Sequence, residues 1–444
     1  LMKYENGLFI FRRDFRIRDN LALNALYRKV NKVYTIFIFT EEQVTKNPFS
    51  SQRIIHFMVE CLYDLKEQIE SKGGKLYTFY GNQKKIIPYL INKLHIDCLA
   101  FNIDYTPYAR KRDLELIRLC EEKNVEIIME HDYMLQRPGQ VCNGTNDPYR
   151  KFTPYYNKHK TLSINSPKTL KINFVKTKDK LNYMTSLEQM DYDINNVIVG
   201  GRKVALKQLN RFKKVKYGDH NTSNLSSYIK FGCLSIREIY DACKRKKEFI
   251  RQLVWRDFYF TIIYYFPHVL KGPMKENYKK IKWSNDSKHL KAFMTGNTGF
   301  PIVDAGIRQL LETGEMDNRV RLIVGSFLVK TLLISWQVGE KFFANNLLDY
   351  DVAVNNGNWQ WIAGSGTDSQ PYFRIFNPWS QGKSYDKDGN YIKRWIPELE
   401  TVFSNDLHKW NEKHDEYDVN YPKPIVDYTK QKVKVLNAYK QIFK

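Results

Sequence analysis

Long apolar runs are missing from this chain of 444 residues. Its longest, such as VYTIFIF at Val33–Phe39, have the length of a strand and fall far short of a bilayer span, so no membrane is expected. Paired cysteines are missing too. Cys61, Cys98, Cys120, Cys142, Cys233 and Cys243 include no CxxC, which argues against a disulfide framework or a zinc site and for a reducing compartment. The histidines show no HExxH or comparable ligand spacing, so no metal is expected. No GxGxxG follows the first strand, which excludes the usual dinucleotide fingerprint. The opening residues lack a charged segment, an apolar stretch and a small-residue cleavage site. An intracellular protein, of cytoplasm or nucleus and not secreted, is expected; the sequon at Asn143-Gly144-Thr145 then reads as an ordinary loop. Negative charge is scarce: 48 Asp and Glu stand against 71 Lys and Arg, a formal net charge of +23. Such an excess attracts polyanions, although a lysine-rich composition alone also produces a basic surface. Charge names a partner to suspect, not a chemistry.

What is present has a clear rhythm in its first part. Leu8–Phe11, Val33–Thr40, Leu76–Tyr80, Cys98–Asp104 and Val125–Met129 read as short strands. Helical patterns lie between them at Leu21–Arg28, Arg53–Ser71, Gln83–Leu94 and Tyr108–Lys123. Strands alternating with helices predict a parallel, Rossmann-like sheet covered on both faces. From Asp132 to Lys203 the rhythm is lost, which marks a long connection. From Val204 helical periodicity takes over, with single helices expected at Leu225–Lys244, Gln252–Tyr265, Val303–Leu311 and Leu322–Trp336. The expected fold is an α/β N-terminal domain over 1–131, a linker over 132–203 and an all-α domain over 204–444. At this length, two cores are the natural outcome.

Between Asn318 and Pro378 the composition departs from that of a plain core. NRVRL, SWQVGEKFF and LLDYDVAVNNGNWQWIAGSGTDSQPYFRIFNP interleave Trp with Arg, Asp and Asn. Polar groups among aromatics are costly unless partnered, so they point to a bound ligand. Earlier, Thr222-Ser223-Asn224-Leu225-Ser226 precedes the expected Leu225–Lys244 helix. It reads either as an ordinary N-cap or as a cradle for phosphate oxygens. QLVWRDFYF at Gln252–Phe260 reads as a core stripe, with an Arg and an Asp at its centre that a core does not require.

These motifs together resemble the photolyase/cryptochrome flavoproteins, most closely class I photolyases that repair cyclobutane pyrimidine dimers. The resemblance extends more weakly over nearly the whole chain. It implies that the helical domain binds FAD. Thr222, Ser223, Asn224, Leu225 and Ser226 would hold the pyrophosphate, with Tyr217 beside the cofactor. Arg256, the Arg321–Asp349 pair and Asp351 would line the cofactor, with Asn355 facing the N5 position of the ring. Tyr217 is closer to Thr222 than in familiar class I members. Trp359, Trp336 and Trp283 match a chain that carries electrons to the photoexcited flavin. Trp255 and Trp361 would stack against a flipped lesion, with Gln252, Asn318, Arg319 and Leu322 around it and Gln381 near DNA. Base flipping is the known habit of photolyases.

Two positions depart from the pattern: Gln252 stands where dimer photolyases have Glu, and Leu322 where they have Met. Glutamine there is familiar from enzymes acting on (6-4) photoproducts. Those rely on a histidine pair, however, and the matching positions here are Asn318 and Leu322, neither of which is a general acid near neutral pH. The implied activity is therefore light-driven splitting of cyclobutane dimers by reduced FAD, with a blue-light photosensor of cryptochrome type and a (6-4) photolyase as alternatives. UV-damaged DNA is the implied partner of a monomeric protein. FRRDFRIRDN, at Phe11–Asn20, resembles the family's opening motif, in which Arg12, Arg13 and Asp14 would stitch the sheet edge to the helical domain. FNIDYTPYARKRD, at Phe101–Asp113, ends a strand where such sheets bind ligands. An antenna chromophore, whether a folate, a deazaflavin or a second flavin, would lie near that crevice.

Overall fold

Five apolar runs rich in β-branched and aromatic residues become five strands: β1 Tyr4–Phe11, β2 Val30–Phe39, β3 Leu76–Tyr80, β4 Cys98–Asn102 and β5 Glu126–Glu130. All pair in parallel, in the order β3-β2-β1-β4-β5. Helices Leu21–Tyr27, Gln52–Glu70, Gln83–Lys93 and Pro107–Glu122 connect them, as parallel crossovers require. Leu8, Phe9, Ile10 and Phe11 are all buried in succession, the mark of a strand covered on both faces. The computed structural model describes residues 3–192, 194, 196–218 and 222–443. The chain forms two compact units, Leu1–Pro267 and His268–Lys444.

The connection after β5 is not bare linker. It contains the helix Phe152–His159, and it bridges the sheet twice, Val33 to Phe174 and Phe79 to Met184. The expected helix Leu225–Lys244 is broken into Ser226–Lys230 and Ile236–Cys243. Between them Gly232 has φ +63°, and a Cβ there would lie 2.6 Å from the Cα of Asp14. Ser235 then caps the second piece through a capping box with Glu238. The break follows from a close backbone approach, which no local periodicity reveals.

The stitching expected of Arg12, Arg13 and Asp14 falls mainly on other residues. Arg12 pairs with Asp113 at 2.7 Å and Arg13 with Asp104 at 3.1 Å, near the carboxyl ends of the strands. Asp14 accepts from Asn20 at 3.1 Å and also from Asn102. Arg16 and Arg237 instead converge on the buried carboxylate of Asp132, at 2.5 and 2.6 Å. Arg237 also reaches Asp19 at 2.8 Å. Burial disfavours an isolated carboxylate, yet the two guanidiniums hold Asp132 below its ordinary range. Removing one member would strand a buried charge, which typically costs about 3–5 kcal/mol.

In the second unit, Pro301–Thr313, Asn318–Lys330, Trp336–Asn346 and Val352–Ala363 are the principal helices. They share one apolar core that includes Phe300, Phe327, Trp336, Phe343 and Trp359. The expected helix Leu322–Trp336 stops at Lys330, and Trp336 opens the next one, capped by Ser335. The turn between contains Leu333 at φ +55°, a conformation costly for a branched side chain. Among the described residues no helix is long and apolar enough to cross a membrane.

Candidate functional site

In the second unit the site is organised by two helix starts and one ion pair. Asp351 caps Val352–Ala363 by accepting from Ala353 N at 3.0 Å. Asp349, two residues earlier, accepts from Arg321 Nη2 at 2.8 Å, while Arg321 Nε donates to the Met316 carbonyl at 2.8 Å. The other carboxylate oxygen, Asp349 Oδ1, is buried and has no protein partner. Such an acceptor is costly unless a ligand donor completes it. Asn355 lies on the same helix and is buried; its Nδ2 donates to the Glu340 carbonyl at 2.9 Å. The end of that amide left for a ligand is therefore Oδ1, an acceptor.

The neighbouring amide has a different task. Asn356 donates to Glu340 Oε1 at 2.9 Å and to the Val269 carbonyl at 3.2 Å, and Gln360 donates to Val269 and Gly272 carbonyls at 2.9 and 3.2 Å. This pair, one turn apart, holds the 269–272 segment. Glu340 was not singled out from the sequence. Burial pushes its carboxyl up to about 7 despite the donor from Asn356. The signal was its spacing: Trp336, Gly339, Glu340 and Phe343 fall on one helix face, so the glutamate lies on the apolar side.

Trp359 and Trp336 are buried in the common core, and Trp283 packs against that core half-buried. Burial thus falls from Trp359 to Trp283. Room for Trp359 is cleared by Gly339, where a Cβ would lie 2.5 Å from the indole Cζ3. Asn318, Arg319 and Leu322 occupy the first two turns of Asn318–Lys330; Asn318 is exposed and the other two are half-buried. Trp361 and Gln381 are half-buried as well.

In the first unit, Thr222–Ser226 precedes a helix of five residues, Ser226–Lys230, not the long one expected. Within it Thr222 bonds Asn224 side chain to side chain, Ser223 Oγ accepts from Leu225 N at 3.3 Å, and Asn224 has φ +50°. Tyr217 packs edge-on against Phe212 and Phe249. The Arg and Asp of WRDFYF both grip the connection after β5. Arg256 donates to the Tyr133 carbonyl and lies 4.6 Å above the Phe260 ring. Asp257, fully buried, accepts from Leu135 and Gln136 N at 2.7 and 3.3 Å. Gln252 is exposed and Trp255 half-buried on the same helix, Lys247–Tyr265. Trp255 stacks face to face on Phe152, 3.6 Å between centroids at 7°. Phe152 had no part in the sequence reading. The aromatic spacing of Phe152, Tyr155 and Tyr156 was the available sign of a helix inside the connection.

Comparison with known proteins agrees with this arrangement. The family model for the FAD binding domain of DNA photolyase matches residues 249–441, and that for DNA photolyase matches residues 8–171. A deoxyribodipyrimidine photo-lyase from Buchnera aphidicola subsp. Acyrthosiphon pisum is 34% identical, over 98% of this chain and 97% of its own. Among solved structures, an archaeal photolyase from Sulfolobus tokodaii with two FAD molecules is 35% identical with a TM-score of 0.88, over 98% of this chain and 100% of that one. A bacterial class III photolyase from Agrobacterium tumefaciens is 30% identical with a TM-score of 0.92, over 100% of this chain and 98% of that one. The parallel five-stranded sheet, the helical FAD-binding part and these relatives place the chain in the DNA photolyase family.

Proposed function

We propose that this protein is a light-driven DNA lyase that splits cyclobutane pyrimidine dimers using reduced FAD. The observation that carries the reading is the Arg321–Asp349 pair with its buried, unpartnered Asp349 Oδ1, inside the stretch that matches the FAD-binding model. The acceptor set fits the N–H groups of a flavin: a carboxylate oxygen of Asp349, the acceptor end of the Asn355 amide and the capping carboxylate of Asp351. When bound, reduced FAD supplies on illumination an electron that opens the cyclobutane ring and is afterwards regained.

The chain's own residues prepare that chemistry. Arg321 fixes the Asp349 carboxylate. Glu340, through its carbonyl, orients Asn355 so that the amide offers an acceptor to a protonated ring nitrogen. Thr222, Ser223, Asn224, Leu225 and Ser226 attend the phosphate side, and Tyr217 and Arg256 serve the cofactor elsewhere. Trp359, Trp336 and Trp283 return electrons from the surface when the cofactor is oxidised. Trp255 and Trp361 offer flat apolar faces to the lesion, which bind bases without reading sequence. Gln252, Asn318, Arg319 and Leu322 surround it, and Gln381 meets DNA. The excess of Lys and Arg supports backbone binding. The same reading assigns the antenna role to 1–131, the linker role to 132–203 and catalysis to 204–444. It also takes the protein as an intracellular monomer, with an antenna chromophore at the strand ends near Phe101–Asp113.

The test is illumination of chemically reduced, flavin-loaded protein with oligonucleotides bearing one defined lesion each. Light-dependent restoration of the dimer-bearing strand is expected. Restoration of the (6-4) strand alone would make Gln252 the better guide. Turnover of neither, with the flavin still photoreducing, would indicate a photosensor.

A further inference from the structure

Tyr259 stands tilted beside Trp255 at 5.6 Å and 33°, and one face of the indole is covered. Phe152, from the helix inside the connection, lies parallel to it at 3.6 Å between centroids and 7°. Ring quadrupoles favour offset or edge-on pairs over such overlap, so the surrounding packing imposes it. Phe258 stands edge-on to both rings, at 5.8 Å and 76° from Phe152 and 5.6 Å and 82° from Trp255. Tyr156 stacks with Phe152 at 5.6 Å and 18°, and the Arg251 guanidinium lies 5.5 Å over the rings of both Phe152 and Tyr156. Phe152 itself is buried, at 1% exposure, whereas Trp255 is half-buried. A buried ring clamped on three sides backs an indole that reaches the surface.

We propose that Phe152 is a positioning residue for lesion recognition: it fixes the plane of Trp255 so that the opposite face meets the flipped lesion flat. This rests on the reading of Trp255 as a lesion-stacking residue. Stacking is sensitive to the tilt of the platform, and an indole free to rotate must be ordered at the moment of binding. A methionine or leucine at 152 would fill much of the volume but supply no flat face. The connection after β5 would then act as part of the recognition apparatus and not as a tether.

The experiment measures affinity of flavin-loaded, full-length protein for a dye-labelled duplex with one cyclobutane dimer and for the same duplex undamaged. Phe152→Met and Phe152→Leu are expected to lower the preference for damaged DNA by about tenfold, the scale of one base–aromatic stack, with flavin content and flavin photoreduction unchanged. Phe152→Tyr is expected to restore the preference. Ile263→Ala, a buried truncation on the same helix as Trp255, is the matched control and should lower stability without moving the ratio. An unchanged ratio in Phe152→Met, or an equal loss in Ile263→Ala, overturns the proposal. Trp255→Ala separates the two levels. If it abolishes the preference while Phe152→Met does not, only the role of Phe152 falls. If it leaves the preference intact, the lesion role of Trp255 falls and the role of Phe152 with it.

Discussion

Arg321 and Asp349 share one hydrogen bond of 2.8 Å, from Nη2 to Oδ2, and leave the second carboxylate oxygen buried without a protein donor. On the function proposed above, a ligand donor completes the pair. Asp349→Ala should remove that acceptor and release Arg321. Hydrogen bonds to charged groups contribute about 1.5–3 kcal/mol, so FAD affinity should fall by about one to two powers of ten. Titration of flavin-free protein with FAD, followed by flavin fluorescence, measures this. An unchanged dissociation constant would remove the pair from the cofactor site.

Gly339→Ala should be costly although it adds one methyl group. Its Cβ would lie 2.5 Å from Trp359 Cζ3 and 2.6 Å from Leu328 Cδ2, in a core where Trp359 cannot swing aside. Overpacking of this kind costs about 1–3 kcal/mol. Urea unfolding of the variant and its parent checks the figure. A loss below a few tenths would mean that the helices separate easily.

Glu340 predicts a pH dependence. Burial raises its carboxyl from an ordinary 4.5 to about 7. Between those values the folded state holds a proton that the unfolded chain has released, so this group's contribution is full below about 4.5 and is lost as pH rises to about 7. Glu340→Gln should keep the Asn356 contact and flatten stability over that window. Thermal unfolding of both proteins from pH 4.5 to 7.5 gives the comparison, and parallel curves would refute the raised value.

Gln252 is exposed on the helix that bears Trp255, so exchange for glutamate should disturb neither fold nor flavin. A carboxyl group can donate a proton where an amide cannot. Gln252→Glu should therefore raise dimer restoration per absorbed photon severalfold at slightly acid pH. Loss of FAD from this variant would show that position 252 belongs to the cofactor and not the lesion.

Trp336→Phe should keep the core filled with an aromatic ring while removing the more readily oxidised one. Light-driven re-reduction of oxidised flavin should stop, while chemically reduced protein still restores DNA. Transient absorption after a laser flash distinguishes these steps. Unimpaired photoreduction would indicate another electron route.

All five strands were legible because they are short apolar runs with helices between them; β3 spans Leu76–Tyr80 as read, whereas β1 and β2 begin at Tyr4 and Val30, ahead of the Leu8 and Val33 expected. The helical breaks were not, for two different reasons. Gly232 bends the chain because the backbone near Asp14 approaches it closely, a contact between residues far apart in sequence. At Leu333 the segment TLLIS contains no breaker, and a leucine takes the left-handed conformation that pattern rules give to glycine. The two divisions of the chain also answer different questions. Periodicity changes at about Val204, whereas packing separates the units after Pro267. In the site, Arg321 and Asp349 do meet. Glu340 went unseen because the Trp, Arg, Asp and Asn around it drew the reading, and Phe152 because its connection lacked a clear period. Asp132 looked like the start of that connection, yet two buried arginines depend on it.

The crossing of the chain over β3 has a bearing on how the protein survives at high concentration. Tyr183 and Thr185 occupy hydrogen-bonding groups of Tyr80 and Thr78 that would otherwise invite a strand from a second copy. The opposite margin, β5, is only five residues long, and its Glu126 is paired with Lys3 at 3.0 Å and also with Lys29; a short edge bearing charged side chains discourages the same event. Shortening the 132–203 stretch would thus trade a seemingly idle tether for a sticky border, and the first symptom would be precipitation before any loss of light response.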